Sequence, residues 1–132
     1  MNKPVDYVLK FHKDFYPVIK SGYKYSTIRA GSKPLRVDDL CFAYFHEIGE
    51  VLILRIKEHY SKRLIDLTDK EAESEGYMHP CLLRHELKNI YPELKTNDYV
   101  YYYRFELVNN YGRDLIKCLN EFEKKITKEL ED

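Results

Sequence analysis

Apolar and polar positions change period several times along this chain, and each change marks an element. Residues 5–9 form a short apolar run that predicts a first strand. Phe11, Phe15, Val18 and Ile19 then fall on one face of a helix over residues 11–20, with Pro17 restricting it to the first turns or shifting its start. Gly22 suits the left-handed residue after a helix end. A polar-loaded strand follows at 27–29, then the loop Ala30-Gly31-Ser32-Lys33-Pro34 and a strand at 40–45. Gly49 marks a hairpin into a longer strand at 51–59. Thr68-Asp69-Lys70-Glu71 has the form of a capping box and starts a short helix that ends near Gly76. Leu82, Leu83, Leu87 and Ile90 predict a second helix over 80–90, stopped by Tyr91-Pro92. Residues 99–108 are rich in β-formers, with Tyr99, Tyr101, Tyr103 and Phe105 on one face.

Beyond residue 109 the chain changes character. Leu115, Leu119, Phe122, Ile126 and Leu130 fall at alternating four- and three-residue steps in a charged background, an amphipathic helix of about twenty residues. The pattern predicts a compact domain over 1–109 and a helical extension over 110–132. That helix packs back on the domain or joins two copies, so monomer and dimer both remain open.

At 132 residues and 44% hydrophobic the chain suits one globular domain. No run approaches the ~18 apolar residues of a membrane helix, and the first residues lack a signal-peptide core. Cys41, Cys81 and Cys118 are odd in number and form no CxxC motif, which argues for reduced thiols and a cytoplasmic location. Net charge is zero, yet residues 1–36 carry eight Lys/Arg against Asp6 and Asp14. A basic patch there would attract phosphate, whereas overall neutrality favours a small ligand or a short nucleic-acid segment.

Candidate chemistry concentrates in Lys24-Tyr25-Ser26-Thr27-Ile28-Arg29, which puts an amine, two hydroxyls and a guanidinium on a short β-prone run. On a regular strand Thr27 and Arg29 share one face, and Lys24 and Ser26 the other. For Lys24 to meet Thr27, Lys24 must sit in the turn or a bulge must intervene, so Ser26 rivals Thr27 as nucleophile. Tyr23, Tyr25 and Tyr77 flank these positions and could stack on a base, although most of the 13 tyrosines suit the core. The histidines show no metal-ligand spacing, and no phosphate-binding or dinucleotide glycine loop occurs, so neither metal nor cofactor is expected.

The run Ile19-Lys20-Ser21-Gly22-Tyr23-Lys24-Tyr25-Ser26-Thr27-Ile28-Arg29 resembles the I-x-x-G-x-K-x-x-T-I-R signature of activating-signal-cointegrator homology (ASCH) domains. Ala72-Glu73-Ser74-Glu75-Gly76 resembles the family's A-x-x-E-G helix end, and residues 98–106 resemble its closing strand. Asp38-Asp39 stands where the family commonly has Gly-Asp, which keeps the aspartate and loses the glycine. The resemblance implies an α+β, PUA-like mixed β-barrel of about five or six strands with short flanking helices. It also implies a cleft for a nucleoside, a nucleotide, or single-stranded or structured RNA.

One subgroup of small bacterial members hydrolyses acetylated cytidine with a lysine, a threonine and a glutamate, which map here onto Lys24, Thr27 and Glu75. Arg29, Ser26, Tyr23, Tyr25 and Tyr77 then become ligand-binding candidates. A lysine base must lose its proton, about 3 units below its free pKa, and a nearby ionised Glu75 opposes that. The plain alternative is a Lys24–Glu75 ion pair that closes a barrel end. The competing functions are a non-catalytic RNA-binding module in RNA modification or translation control, a metal-independent ribonuclease, and an interaction protein acting through the terminal helix.

Overall fold

The structure is a computed structural model, and it describes residues 7–108 together with Lys124. Apart from Lys124, the expected helix and domain extension over 110–132, with Cys118, lies outside the described residues, as do residues 5 and 6 of the first expected strand. Five strands form one mixed sheet: β1 (Val8–Lys10), β2 (Ser26–Arg29), β3 (Leu40–Phe45), β4 (Glu50–Arg63) and β5 (Tyr99–Leu107). Their spatial order is β1-β3-β4-β5-β2, with β1 and β3 parallel and every other pair antiparallel. Within residues 7–108 three α-helices accompany it: α1 (Phe15–Lys20), α2 (Asp69–Ser74) and α3 (Pro80–Ile90).

Period-two alternation gives the sheet two buried faces. Leu9, Cys41, Ala43, Phe45, Leu54, Ile56, Tyr103 and Phe105 form one core with Phe11, Ile19 and Leu35. Ile28, Val100 and Tyr102 form a second with Leu64, Leu67, Ala72, Leu83 and Leu87, so α2 and α3 cover the opposite face. Each fully buried large apolar side chain contributes about 1.5–3 kcal/mol. The register between β4 and β5 shifts between Ile56 and Glu58. This bulge resets the alternation, so that His59 pairs with Tyr103 and Tyr60 with Tyr102. β4 consequently runs on to Arg63, past the end read from its pattern.

The helix expected over 11–20 is shorter, six residues from Phe15 to Lys20. Pro17 has no N–H to give a preceding carbonyl, so it is accommodated in the first turn, and Phe15 is left 40% exposed. Gly22 and Gly76 follow α1 and α2 with φ of +82° and +86°, the conformation a helix-ending glycine supplies. Asp38 adopts φ 74° where the resembled family has glycine. Its backbone holds the turn: the Asp38 N–H donates to the Ile56 carbonyl (2.7 Å), and its carbonyl accepts from Arg55 (3.0 Å).

The sheet curls as a half-barrel whose edges are β1 and β2, and Arg29 ties those edges together. Its terminal nitrogen donates to the Lys10 carbonyl at 2.7 Å, and the guanidinium lies 4.7 Å from the Phe11 ring centroid. No helix among the described residues is long and apolar enough to cross a membrane.

Candidate functional site

Lys24 sits in the turn between α1 and β2, outside the regular strand. Its backbone N–H donates to the Val18 carbonyl at 2.9 Å, which seats the residue against the end of α1. Its ammonium lies 5.1 Å from the Phe15 ring centroid and 3.5 Å from Glu75 Oε2. Glu75 caps the C-terminus of α2, where its N–H reaches the Glu71 carbonyl at 3.0 Å. A carboxylate at a helix C-terminus opposes the helix dipole, so a nearby cation is needed to hold it there. The side chains of Lys24 and Glu75 are 15% and 9% exposed, which leaves the pair at the edge of solvent.

Behind the pair lies a chain of hydroxyls. Ser26 Oγ donates to Glu75 Oε2 and lies 2.5 Å from Ser74 Oγ, which is itself 2.9 Å from the Tyr102 hydroxyl. One consistent set of protons runs Tyr102 to Ser74 to Ser26 to Glu75, in which Tyr102 donates and the two serine hydroxyls each donate once and accept once. The Ser74 carbonyl, at 3.2 Å, offers the Ser26 hydroxyl a second acceptor. Burial pushes the Tyr102 phenol up from its ordinary pKa against the opposing hydrogen bonds of Ser74 and Ser26, so the phenol keeps its proton as a donor. Ser26 is fully buried.

Thr27 faces the other side of β2. It pairs in register with Tyr103, and its hydroxyl accepts from Arg29 Nε at 3.1 Å. No hydrogen bond joins Thr27 to Lys24 or Glu75 among the described residues. The structure therefore brings Lys24, Ser26 and Glu75 together, and it sets Thr27 and Arg29 on the barrel-facing side. Burial lowers the Arg29 pKa, an effect opposed by the negative potential of Tyr91, Glu75, Tyr103 and Cys41. Its guanidinium still carries a proton across the ordinary pH range.

The flanking tyrosines divide. Tyr23 is 83% exposed and Tyr25 43% exposed, both open to a partner. Tyr77 packs against the helix-covered core, and burial first, then Glu86 and Glu75, push its phenol up. Cys41 is buried and its thiol is raised to about 12 by desolvation, which makes it a poor nucleophile. No group of three His, Cys, Asp or Glu placed to hold a metal occurs among the described residues.

Three partners escaped the sequence reading. Ser74 lies within the motif that carries Glu75, and Tyr102 follows from β5 parity, yet only the packing of α2 on the sheet brings them into line. Glu71 is the third. It is fully buried, and it accepts from Tyr60 (2.8 Å), Lys62 (2.9 Å), and the Thr68 N–H (2.8 Å) and hydroxyl (3.0 Å). The capping signature marked its helix without revealing that the same carboxylate bolts α2 to β4.

Chemically, the outer pair presents unused capacity. Among the described residues Lys24 Nζ has Glu75 as its one acidic partner, and Glu75 Oε1 accepts from no group. A donor and an acceptor therefore stand side by side at a partly exposed edge.

No family model and no curated protein matches the sequence. Solved structures do match the fold. A DUF984-family protein of Enterococcus faecalis aligns with TM-score 0.67 at 13% identity, over 78% of this chain and 76% of that one. The ASCH domain of Lactobacillus crispatus aligns with TM-score 0.60 at 14% identity, over 78% and 80%. An ASCH protein of Zymomonas mobilis aligns with TM-score 0.57 at 13% identity, over 83% and 75%. The chain thus has the α+β, PUA-like fold of ASCH domains.

Proposed function

We propose that this ASCH-fold chain is a member of the ASCH family that binds a nucleoside or nucleotide at the Lys24–Glu75 edge and hydrolyses the amide of an N-acylated, cytidine-type base. The observation that carries the reading is the free donor beside a free acceptor, the complement of an amide carbonyl next to an N–H. In the proposed reaction Glu75 takes a proton from water as its oxygen attacks the acyl carbon. Lys24 holds the developing oxyanion. The C–N bond then breaks, the proton passes to the departing amine, and a free base and a carboxylic acid result.

Ser26 is a positioning residue in this scheme, because a fully buried hydroxyl cannot reach a substrate carbon. An acyl-threonine route instead places the acyl group on the barrel side of β2, where Thr27 is 6% exposed and its hydroxyl must first leave Arg29 Nε. Arg29 supports the strand that carries both.

The test is incubation with acetylated cytidine, with cytidine release followed by chromatography. Lys24→Ala and Glu75→Gln should each lower kcat by at least about 100-fold. Turnover that survives in both variants, or a folded wild type with no turnover, overturns the hydrolase reading. Thr27→Ala separates the two attacks: water needs no Thr27 hydroxyl, whereas an acyl-threonine route stops without it.

One observation favours a second reading. Tyr23 and Tyr25 are exposed beside the pair and could stack on successive bases of a single strand, as in a non-catalytic RNA-binding module.

A further inference from the structure

A broad, open depression of about 820 Å³ lies where β2 ends and β5 begins, lined in part by Ile90, Tyr91, Glu93, Asp98, Tyr99 and Tyr101. Neither Lys24 nor Glu75 contributes to it. Its size falls within the range of small-molecule pockets, about 300–1,000 Å³. Among the described residues three aromatic rings and two carboxylates line it, with no lysine or arginine. Arg29, which feels the Tyr91 phenol electrostatically, is held elsewhere by Thr27 and the Lys10 carbonyl.

The chemistry of the lining selects the charge of its occupant. Ring faces attract cations through their quadrupoles, and carboxylates add a full opposite charge. Phosphate is repelled by the same two carboxylates, so a nucleotide is the wrong ligand here. The lining is also unsatisfied in water: Tyr99 is 54% exposed and Ile90 57% exposed. Asp98 spends one oxygen on the Lys95 N–H at 2.8 Å, which fixes its position at the wall of the depression. Glu93 makes no hydrogen bond or ion pair among the described residues.

We propose that this depression binds a small organic cation, an alkylammonium of roughly choline size, at a site separate from the Lys24–Glu75 edge. Methyl groups on nitrogen would lie on the tyrosine faces, and the charge would be shared by Glu93 and Asp98.

The experiment is an NMR titration of the full chain with choline and, in parallel, with its neutral isostere 3,3-dimethylbutan-1-ol, observing residues 90–101. Choline should saturate with a Kd of about 1 mM, the scale expected of so few atoms. The isostere should bind at least about tenfold more weakly, since it keeps the shape and loses the charge. Tyr99→Ala and Glu93→Gln alter exposed side chains that the fold does not lean on, and each should weaken choline severalfold. Equal binding of the two probes overturns the proposal, as do unaltered affinities in both variants or shifts that fail to saturate.

Discussion

Ser26 and Thr27 show how much one step along a strand decides. Ser26 turns toward α2 and donates to Glu75, whereas Thr27 turns toward the barrel and accepts from Arg29. Ser26→Ala removes the hydroxyl that donates to Glu75 Oε2 and breaks the chain between Ser74 and Glu75, at a cost of about 1–3 kcal/mol. Urea unfolding reads that loss, and a change below about 0.3 kcal/mol would mean the hydroxyl chain carries no stability. Asp38 makes the opposite case. Its φ of 74° strains a side-chain-bearing residue, and glycine relieves that strain. Asp38→Gly should therefore raise stability by about 1 kcal/mol, less whatever the more flexible unfolded chain takes back, and a lower melting temperature would refute it. The sequence showed the missing glycine and the face-sharing of Lys24 with Ser26. It could not show that Ser26 is sealed, because burial depends on α2 arriving from nearly fifty residues away.

Elements are fixed here by a few polar bolts through an apolar framework. Arg29 joins β2 to β1, and Glu71 joins α2 to β4. Burial alone would raise the Glu71 pKa, but the Thr68 N–H, Lys62, Tyr60 and the Thr68 hydroxyl outweigh it and hold it below the ordinary 4.5. A carboxyl depressed in the folded state stabilises fully above its unfolded pKa and loses that contribution as pH falls through the lower folded value. The wild type should accordingly lose stability progressively below about pH 4.5. Glu71→Gln should be less stable by about 3 kcal/mol at neutral pH, because it leaves Lys62 facing an uncharged amide, and its acid limb should be flatter. Parallel urea midpoints between about pH 7 and about pH 3 check both, and identical acid limbs would remove Glu71 from the account. Period and caps located β3 and α3 to the residue. They missed the last four residues of β4, since a bulge alters strand period only where a partner strand is present.

Charge across the whole molecule bears on which ligand class the fold serves. Composition placed six net positive charges in residues 1–36, which reads as a phosphate-attracting patch. Folding thins that patch: Arg29 closes the barrel and Lys24 faces Glu75, leaving Lys10, Lys13, Lys20, Lys33 and Arg36 exposed. The fold class was legible because its motif, turns and alternation are local. The redistribution of charge was not, because it follows from which side chains the curled sheet turns inward. These five exposed cations set the share of salt dependence that this segment gives an RNA complex. If all five met phosphates of a single strand, the slope of log K against log salt would approach about −3.5. A nucleoside, which has no phosphate, should bind with nearly the same affinity at low and high salt. Fluorescence anisotropy with a short labelled oligoribonucleotide, competed by unlabelled cytidine, separates the cases. Weak RNA binding that cytidine displaces at any salt concentration supports a nucleoside edge at Lys24 and Glu75. Strong RNA binding with a steep slope that cytidine leaves intact would instead make the exposed lysines, together with Tyr23 and Tyr25, the working surface.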